Sequence, residues 1–233
     1  FFKRFENIGI EGIRNHRQID EHTYLLAEAS ENSPEAISNG APIGRPSNIW
    51  IVKLLHDDVE WIRVNTTSGY YHDASFGDIN GDGLFDIVAA GGPGQLFIQN
   101  TDGSFNEFQD VFPMQHGAAY FSIEAGELYG DSTPEIVWTS YIDGGAIEHL
   151  NSWIILKWDE STNTFYEDKR SNDPRVFHPT GDMGGNYTRI IDIDKDGNND
   201  MIISREGEGG SYQGSVEIWL GDGNGNFEPK DME

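Results

Sequence analysis

The apolar residues of this chain come in short runs separated by turn residues, and patterns of helical period are scarce. Thr23-Tyr24-Leu25-Leu26-Ala27, Asn48-Ile49-Trp50-Ile51-Val52-Lys53 and Val59-Glu60-Trp61-Ile62-Arg63-Val64 are rich in β-branched and aromatic residues. Such runs, bounded by polar turns, read as strands. The pattern returns at Ile87-Val88-Ala89, Gln95-Leu96-Phe97-Ile98, Trp153-Ile154-Ile155-Leu156-Lys157-Trp158, Thr164-Phe165-Tyr166, Met201-Ile202-Ile203 and Ser215-Val216-Glu217-Ile218-Trp219-Leu220. Asp102-Gly103 and Asp222-Gly223 follow two of these runs, and an Asp-Gly pair between strands is a hairpin signal. The predicted fold class is all-β.

The runs also repeat in a fixed order. Aligning Asp78 on Asp192 places two apolar strands, a glycine-rich link and a polar turn in register. A third copy lies between them, because the stretch from Gly126 to Val137 aligns without gaps on the stretch from Gly77 to Val88. A fourth, weaker copy precedes the first, with its corresponding loop near Asp20-Glu21-His22. Each unit holds about four strands in roughly 50 to 65 residues. A unit of that size cannot bury both faces alone, so units must stack face to face, and four-stranded units stacked around an axis form a β-propeller.

The expected division is 1–8 as the outer strand of a preceding blade, then blades at 9–66, 67–112, 113–170 and 171–233. Phe1-Phe2-Lys3-Arg4-Phe5 resembles a last strand, yet the final unit has its own at Asn226-Phe227-Glu228. Four blades of a larger ring, of about seven, are therefore expected. Residues 28–46 and 206–214 read as exposed insertions.

Two acidic loops carry the candidate chemistry. Asp78-Ile79-Asn80-Gly81-Asp82-Gly83-Leu84-Phe85-Asp86 and Asp192-Ile193-Asp194-Lys195-Asp196-Gly197-Asn198-Asn199-Asp200 share the pattern D-x-[DN]-x-D-G-x-x-D. Oxygen side chains at alternate positions converge if the backbone curls, and glycine permits the bend. A hard cation takes about six to eight oxygens at short distance. The expected ligands of two Ca²⁺ sites are Asp78, Asn80, Asp82, Asp86 and the Leu84 carbonyl, and Asp192, Asp194, Asp196, Asp200 and the Asn198 carbonyl. The middle copy keeps acids at Glu127, Asp131 and Glu135, but Tyr129 replaces the third ligand and Ser132 the glycine. No metal is expected there.

These residues resemble the FG-GAP/VCBS repeat family, the calcium-binding blades of integrin α-subunit propellers. The match covers residues 74–88, then Leu96-Phe97-Ile98-Gln99-Asn100 and Asp102-Gly103-Ser104-Phe105, with a second clear copy at 189–227 and a degenerate one at 127–137. Residues 1–66 match by strand pattern alone. The resemblance implies a propeller, calcium between the first two strands of a blade, and an extracellular or cell-surface setting. Its members include adhesion receptors, lectins, bacterial surface proteins and polysaccharide lyases.

Composition narrows the partners. Lys plus Arg is 15 and Asp plus Glu is 40, a formal charge of −25, which disfavours nucleic acid and anionic membranes. There is no cysteine, so disulfides and thiolate metal sites are excluded. No apolar run approaches the roughly 20 residues that span a bilayer. Asn65-Thr66-Thr67 and Asn186-Tyr187-Thr188 are N-glycan acceptors in a eukaryotic secreted protein. Trp50, Trp138, Trp153, Trp158 and Trp219 fall in strand patterns and are read as wedge fillers between blades, whereas Trp61, flanked by Glu60 and Arg63 in an outer strand, is read as the more exposed one. His72, His116 and His178 are read as solvated loop residues ahead of each unit's first strand. No nucleophile–base or phosphate-loop signature occurs. The expectation is a non-enzymatic recognition, adhesion or scaffold module for a protein or glycan ligand, joined to other domains or blades of a longer chain. The alternative is a lectin-like or polysaccharide-processing enzyme domain.

Overall fold

The computed structural model describes residues 13–28, 48–66, 71–91, 94–113, 118–142, 153–171, 185–205 and 215–230. The expected strand at 1–8, the insertion at 206–214, nearly all of that at 28–46, and His116 and His178 lie outside them.

Sixteen strands form four antiparallel sheets, each a four-stranded meander in chain order. Blade I holds β1 (Ile13–Asp20), β2 (Thr23–Glu28), β3 (Ile49–Leu54) and β4 (Val59–Arg63). Blade II holds β5 (Tyr71–Gly77), β6 (Asp86–Gly91), β7 (Gln95–Gln99) and β8 (Phe105–Gln109). Blade III holds β9 (Ala118–Gly126), β10 (Glu135–Ile142), β11 (Ile154–Asp159) and β12 (Thr164–Arg170). Blade IV holds β13 (Gly185–Ile191), β14 (Asp200–Arg205), β15 (Ser215–Gly221) and β16 (Phe227–Pro229). The described residues contain no helix. The fold is a four-bladed β-propeller of four-stranded sheets.

The blades stack in sequence through their first strands, β1 on β5, β5 on β9 and β9 on β13. Among the described residues, no comparably extensive contact joins blade IV to blade I. Strand alternation sends side chains to both faces, so each blade needs two partners. Ile87 pairs with Phe97, Ile136 with Leu156 and Met201 with Trp219, and these residues face the preceding blade. Their neighbours Val88 with Leu96, Val137 with Ile155 and Ile202 with Ile218 face the other way.

Three cores follow from this. Leu25, Ile49 and Ile51 meet Ile87 and Phe97 between blades I and II. Val88 and Leu96 meet Ile136, Trp138 and Leu156 between II and III. Val137, Trp153 and Ile155 meet Met201, Ile203 and Trp219 between III and IV. Burying each large side chain contributes about 1.5 to 3 kcal/mol. Trp138, Trp153 and Trp219 fill the wedges as expected, with Trp153 edge-on to Trp219 at 5.5 Å. Trp61 sits edge-on to Trp50 at 6.2 Å and is half-buried. His72 departs from expectation. It lies within β5 and is buried, because β5 begins at Tyr71, one residue before it.

Candidate metal centre

The acidic loops join the first and second strands of blades II, III and IV and share one backbone shape. Their fourth and sixth residues are left-handed: Gly81 and Gly83 at φ 74° and 86°, Lys195 and Gly197 at 64° and 95°, Gly130 and Ser132 at 71° and 69°. The blade III loop thus keeps the curl after losing the glycine at its sixth position, where Ser132 stands. The loops stand side by side on one rim. The Asn199 amide donates to the Glu127 carbonyl at 2.8 Å, and a Cβ at Gly77 would lie 3.1 Å from Pro134 Cγ.

Within each intact loop the first aspartate ties the curl together. Asp78 accepts from the Asp82 and Gly83 N–H groups at 2.9 and 2.8 Å, and Asp192 from those of Asp196 and Gly197 at 3.2 and 3.1 Å. The last acid anchors the loop to the third strand. Asp86 accepts from Ile79 and Gln99 N–H at 2.9 and 3.0 Å, and Asp200 from Ile193 and Gly221 N–H, both at 2.8 Å. Burial pushes the Asp86 carboxyl up to about 6, against the pull of those N–H groups.

In blade IV the carboxylates of Asp192, Asp194 and Asp200 offer oxygens within 4.8 Å of one another. Asp196 stands outside that trio and accepts from both the backbone and side-chain amides of Asn198, at 2.8 and 3.1 Å. In blade II the third position is Asn80, whose amide donates to Asp82 at 3.0 Å, and Asp82 also accepts from Leu84 N–H at 2.8 Å. The structure gathers no comparable carboxylate trio there among the described residues. Three anionic oxygens this close repel one another unless a cation lies between them. The donor set is all oxygen, which fits a hard divalent ion rather than a soft one.

Blade III meets the same repulsion differently. Lys157 of β11 brings its ammonium to 3.0 Å from Glu135 Oε1 and 3.4 Å from Asp131 Oδ2, and 4.2 Å from the centre of the Tyr129 ring. Glu135 is fully buried, and its other oxygen accepts from Leu128 N–H at 2.9 Å. A protein-borne cation therefore stands among the acids of the loop that has lost its third oxygen ligand. Tyr129, the substitute, packs flat enough on blade IV that a Cβ at Gly225 would strike its ring. The lysine could have been sought from the sequence by asking what replaces the ion, since Lys157 takes the register position that is Ile98 in blade II and Leu220 in blade IV. Lys157→Met should cost about 2 kcal/mol by leaving a buried carboxylate without its charge partner. Urea unfolding in chelator measures this, and a loss below about 0.5 kcal/mol would remove the lysine from that role.

A polar groove of about 510 Å³ lies on the outer rim between blades III and IV, lined by Trp153, Glu167, Asp168, Lys169 and Asn226 among others. Lys169 reaches the Gly225 carbonyl at 2.8 Å and the Asn224 carbonyl at 3.3 Å, closing the far end of the interface.

At the opposite, innermost edge of the blades, charged residues meet in a hub that the strand patterns did not announce. Asp73 of β5 is fully buried and accepts from Arg17 Nη2 at 3.2 Å, Ser122 Oγ at 3.0 Å and Ile123 N–H at 3.1 Å. Arg17 continues to Glu124 at 2.6 Å, and Arg189 approaches the same carboxylate at 3.6 Å. Four first strands are thus bridged. Burial raises both acids, Glu124 to about 7, against the opposing pull of the Arg17 and Arg189 charges.

Face-to-face meanders with an acidic loop between their first two strands define a β-propeller with candidate cation-binding blades. Residues 78–138 match the family model of an FG-GAP-like repeat, from the blade II loop to Trp138 in β10. No curated protein matches the chain.

Proposed function

We propose that this chain is a calcium-binding propeller module that acts in recognition or as a scaffold on an exterior surface, and that it binds rather than turns over its ligand. The observation that carries the reading is the convergence of Asp192, Asp194 and Asp200 in a loop with the same backbone as its blade II counterpart. Ca²⁺ would be held in blade IV by those three residues, and in blade II by Asp78, Asn80, Asp82 and Asp86. Bound there, it would offset the crowded negative charge and stiffen the rim. The large acidic excess suits a medium rich in divalent ions, outside the cell. The groove between blades III and IV offers both charge signs and an amide to sugar hydroxyls or peptide groups.

Calorimetric titration with Ca²⁺ should count two sites. Asp194→Ala and Asp82→Ala should each remove one, and Asp131→Ala none. A third site lost with Asp131, or no binding at all, defeats the calcium reading. Passing a panel of glycans and extracellular proteins over the calcium-loaded chain tests the rest. Saturable retention without product supports it, and turnover of a polysaccharide favours the enzyme alternative instead.

A further inference from the structure

Asn39, Asn80 and Asn224 each precede a glycine. The backbone nitrogen after an asparagine can attack that residue's side-chain amide carbon, and a following glycine, lacking a Cβ, hinders the approach least. Asn39 lies outside the described residues, and the structure treats the other two in opposite ways. Asn80 stands at the third position of the blade II loop with its side chain folded forward over the Gly81 peptide. Its Oδ1 accepts from the Asp82 N–H at 3.1 Å, and its Nδ2 donates to Asp82 Oδ2 at 3.0 Å. A turn of this kind brings the side-chain carbon toward the nitrogen between the two bonded groups. The Asp82 N–H also stands where negative charge would gather on Oδ1 during an attack. Gly81 is exposed, and a Cβ there would meet nothing within 4 Å, so the peptide has room to rotate.

Asn224 is held the other way. Its amide turns back to the Asp222 carbonyl at 3.2 Å. Gly225 is buried beneath the Tyr129 ring, and Lys169 holds its carbonyl at 2.8 Å. Closing a ring there would require lifting the hairpin of blade IV away from blade III. The forward turn itself recurs before Gly83, Gly103, Gly197 and Gly223, where Asp82, Asp102, Asp196 and Asp222 accept from the N–H two residues on. Those side chains are carboxylates, whose charge repels a nucleophile and whose oxygen is a poor leaving group. Among the described residues, Asn80 alone joins the forward turn, an open glycine and a neutral amide.

We infer that Asn80 is a self-modification site of the folded chain, deamidated by the Gly81 nitrogen with water as co-reactant. The Gly81 nitrogen gives up its proton and bonds to Asn80 Cγ. The Cγ–Nδ2 bond breaks, and Nδ2 leaves with that proton as ammonia. Water then opens the succinimide. Opening at the side-chain carbonyl leaves aspartate, which gives the blade II loop the third-position carboxylate that blade IV has in Asp194. Opening at the main-chain carbonyl leaves isoaspartate, which lengthens the backbone by a methylene and breaks the spacing of the curl. The reaction acts on one acidic loop and spares the other, whose third position is already an acid. The inference rests on the geometry at Asn80 and not on the calcium reading.

The 233-residue chain is incubated in mildly alkaline buffer with chelator, either folded or unfolded in guanidinium chloride, and its peptides are mapped by mass spectrometry. Residue 80 should gain about 1 Da, with both aspartyl and isoaspartyl linkages in the fragments. In the folded chain Asn80 should convert at least about tenfold faster than Asn224, and in denaturant the two rates should converge. Asn80→Gln, whose longer side chain disfavours the same ring, should show no gain at that position. Equal rates at Asn80 and Asn224 in the folded chain, or no conversion of Asn80 while the chain is folded, would overturn the inference. A parallel incubation with Ca²⁺ separates it from the calcium reading. Conversion at Asn80 supports the inference with or without the ion, whereas a rate that Ca²⁺ leaves unchanged counts against Asn80 as a ligand.

Discussion

Asp73→Ala is expected to lower the unfolding free energy by about 3 to 5 kcal/mol, the largest effect of any single substitution considered for this chain. The carboxylate is wholly buried where three blades meet, and it takes hydrogen bonds from β1 and β9 besides its ion pair with Arg17. Alanine leaves Ser122 Oγ and Ile123 N–H without their acceptor and strips Arg17 of one of two anions. Gln18→Ala, on the exposed side of β1, serves as control and should stay within about 0.5 kcal/mol.

The same hub gives stability a pH dependence of defined sign. Burial raises Glu124 from 4.5 to about 7, so between those values the native state holds more protons than the unfolded chain. Unfolding free energy therefore falls as pH rises through that window, by about 3 kcal/mol for a shift of that size. Asp73 is raised as well and acts in the same direction. Urea titrations in chelator at pH 5 and pH 7.5 should show the loss, and Glu124→Gln should reduce it. A wild-type chain more stable at the higher pH would contradict the assignment.

Calcium should supply the second large effect. Each site adds about 2.7 kcal/mol at a hundredfold excess of ion over its dissociation constant, so two sites add about 5 kcal/mol. For a chain of this size that is a rise in melting temperature on the order of 10 °C. Chelator should reverse it, and Asp194→Ala should remove about half. Since Lys157 already stands between Asp131 and Glu135, blade III should contribute nothing to the shift. A melting temperature indifferent to both calcium and chelator would sink the metal reading.

Most of the fold was readable because each repeat announces itself locally. The strand pairs Trp153-to-Trp158 with Thr164-to-Tyr166, and Thr23-to-Ala27 with Asn48-to-Lys53, appear where alternation and turn residues put them. The first strand of blade I was not readable. Ile13–Asp20 is mostly polar, since Asn15 and Arg17 turn their side chains to buried partners in blades II and III rather than to an apolar core. Burial of a charged residue depends on its partner, and Arg17 finds Glu124 more than a hundred residues away. His72 was misread for a related reason, as a polar residue in a strand that neighbouring blades cover on both sides.

By itself the sequence determined the number of strands per unit, the repeat, the candidate oxygen donors and the glycine bend of the intact acidic loops, all set by periodicity and residue chemistry within a dozen positions. Only the tertiary structure decided which donors come together. It placed Asp192, Asp194 and Asp200 side by side and turned Asp196 toward Asn198, put the Lys157 ammonium among the acids of the blade III loop, and ran one arginine between two buried acids. Those outcomes depend on how separate strands stack and on which opposite charge fills a desolvated gap. Such a gap exists only after the blades have closed on one another.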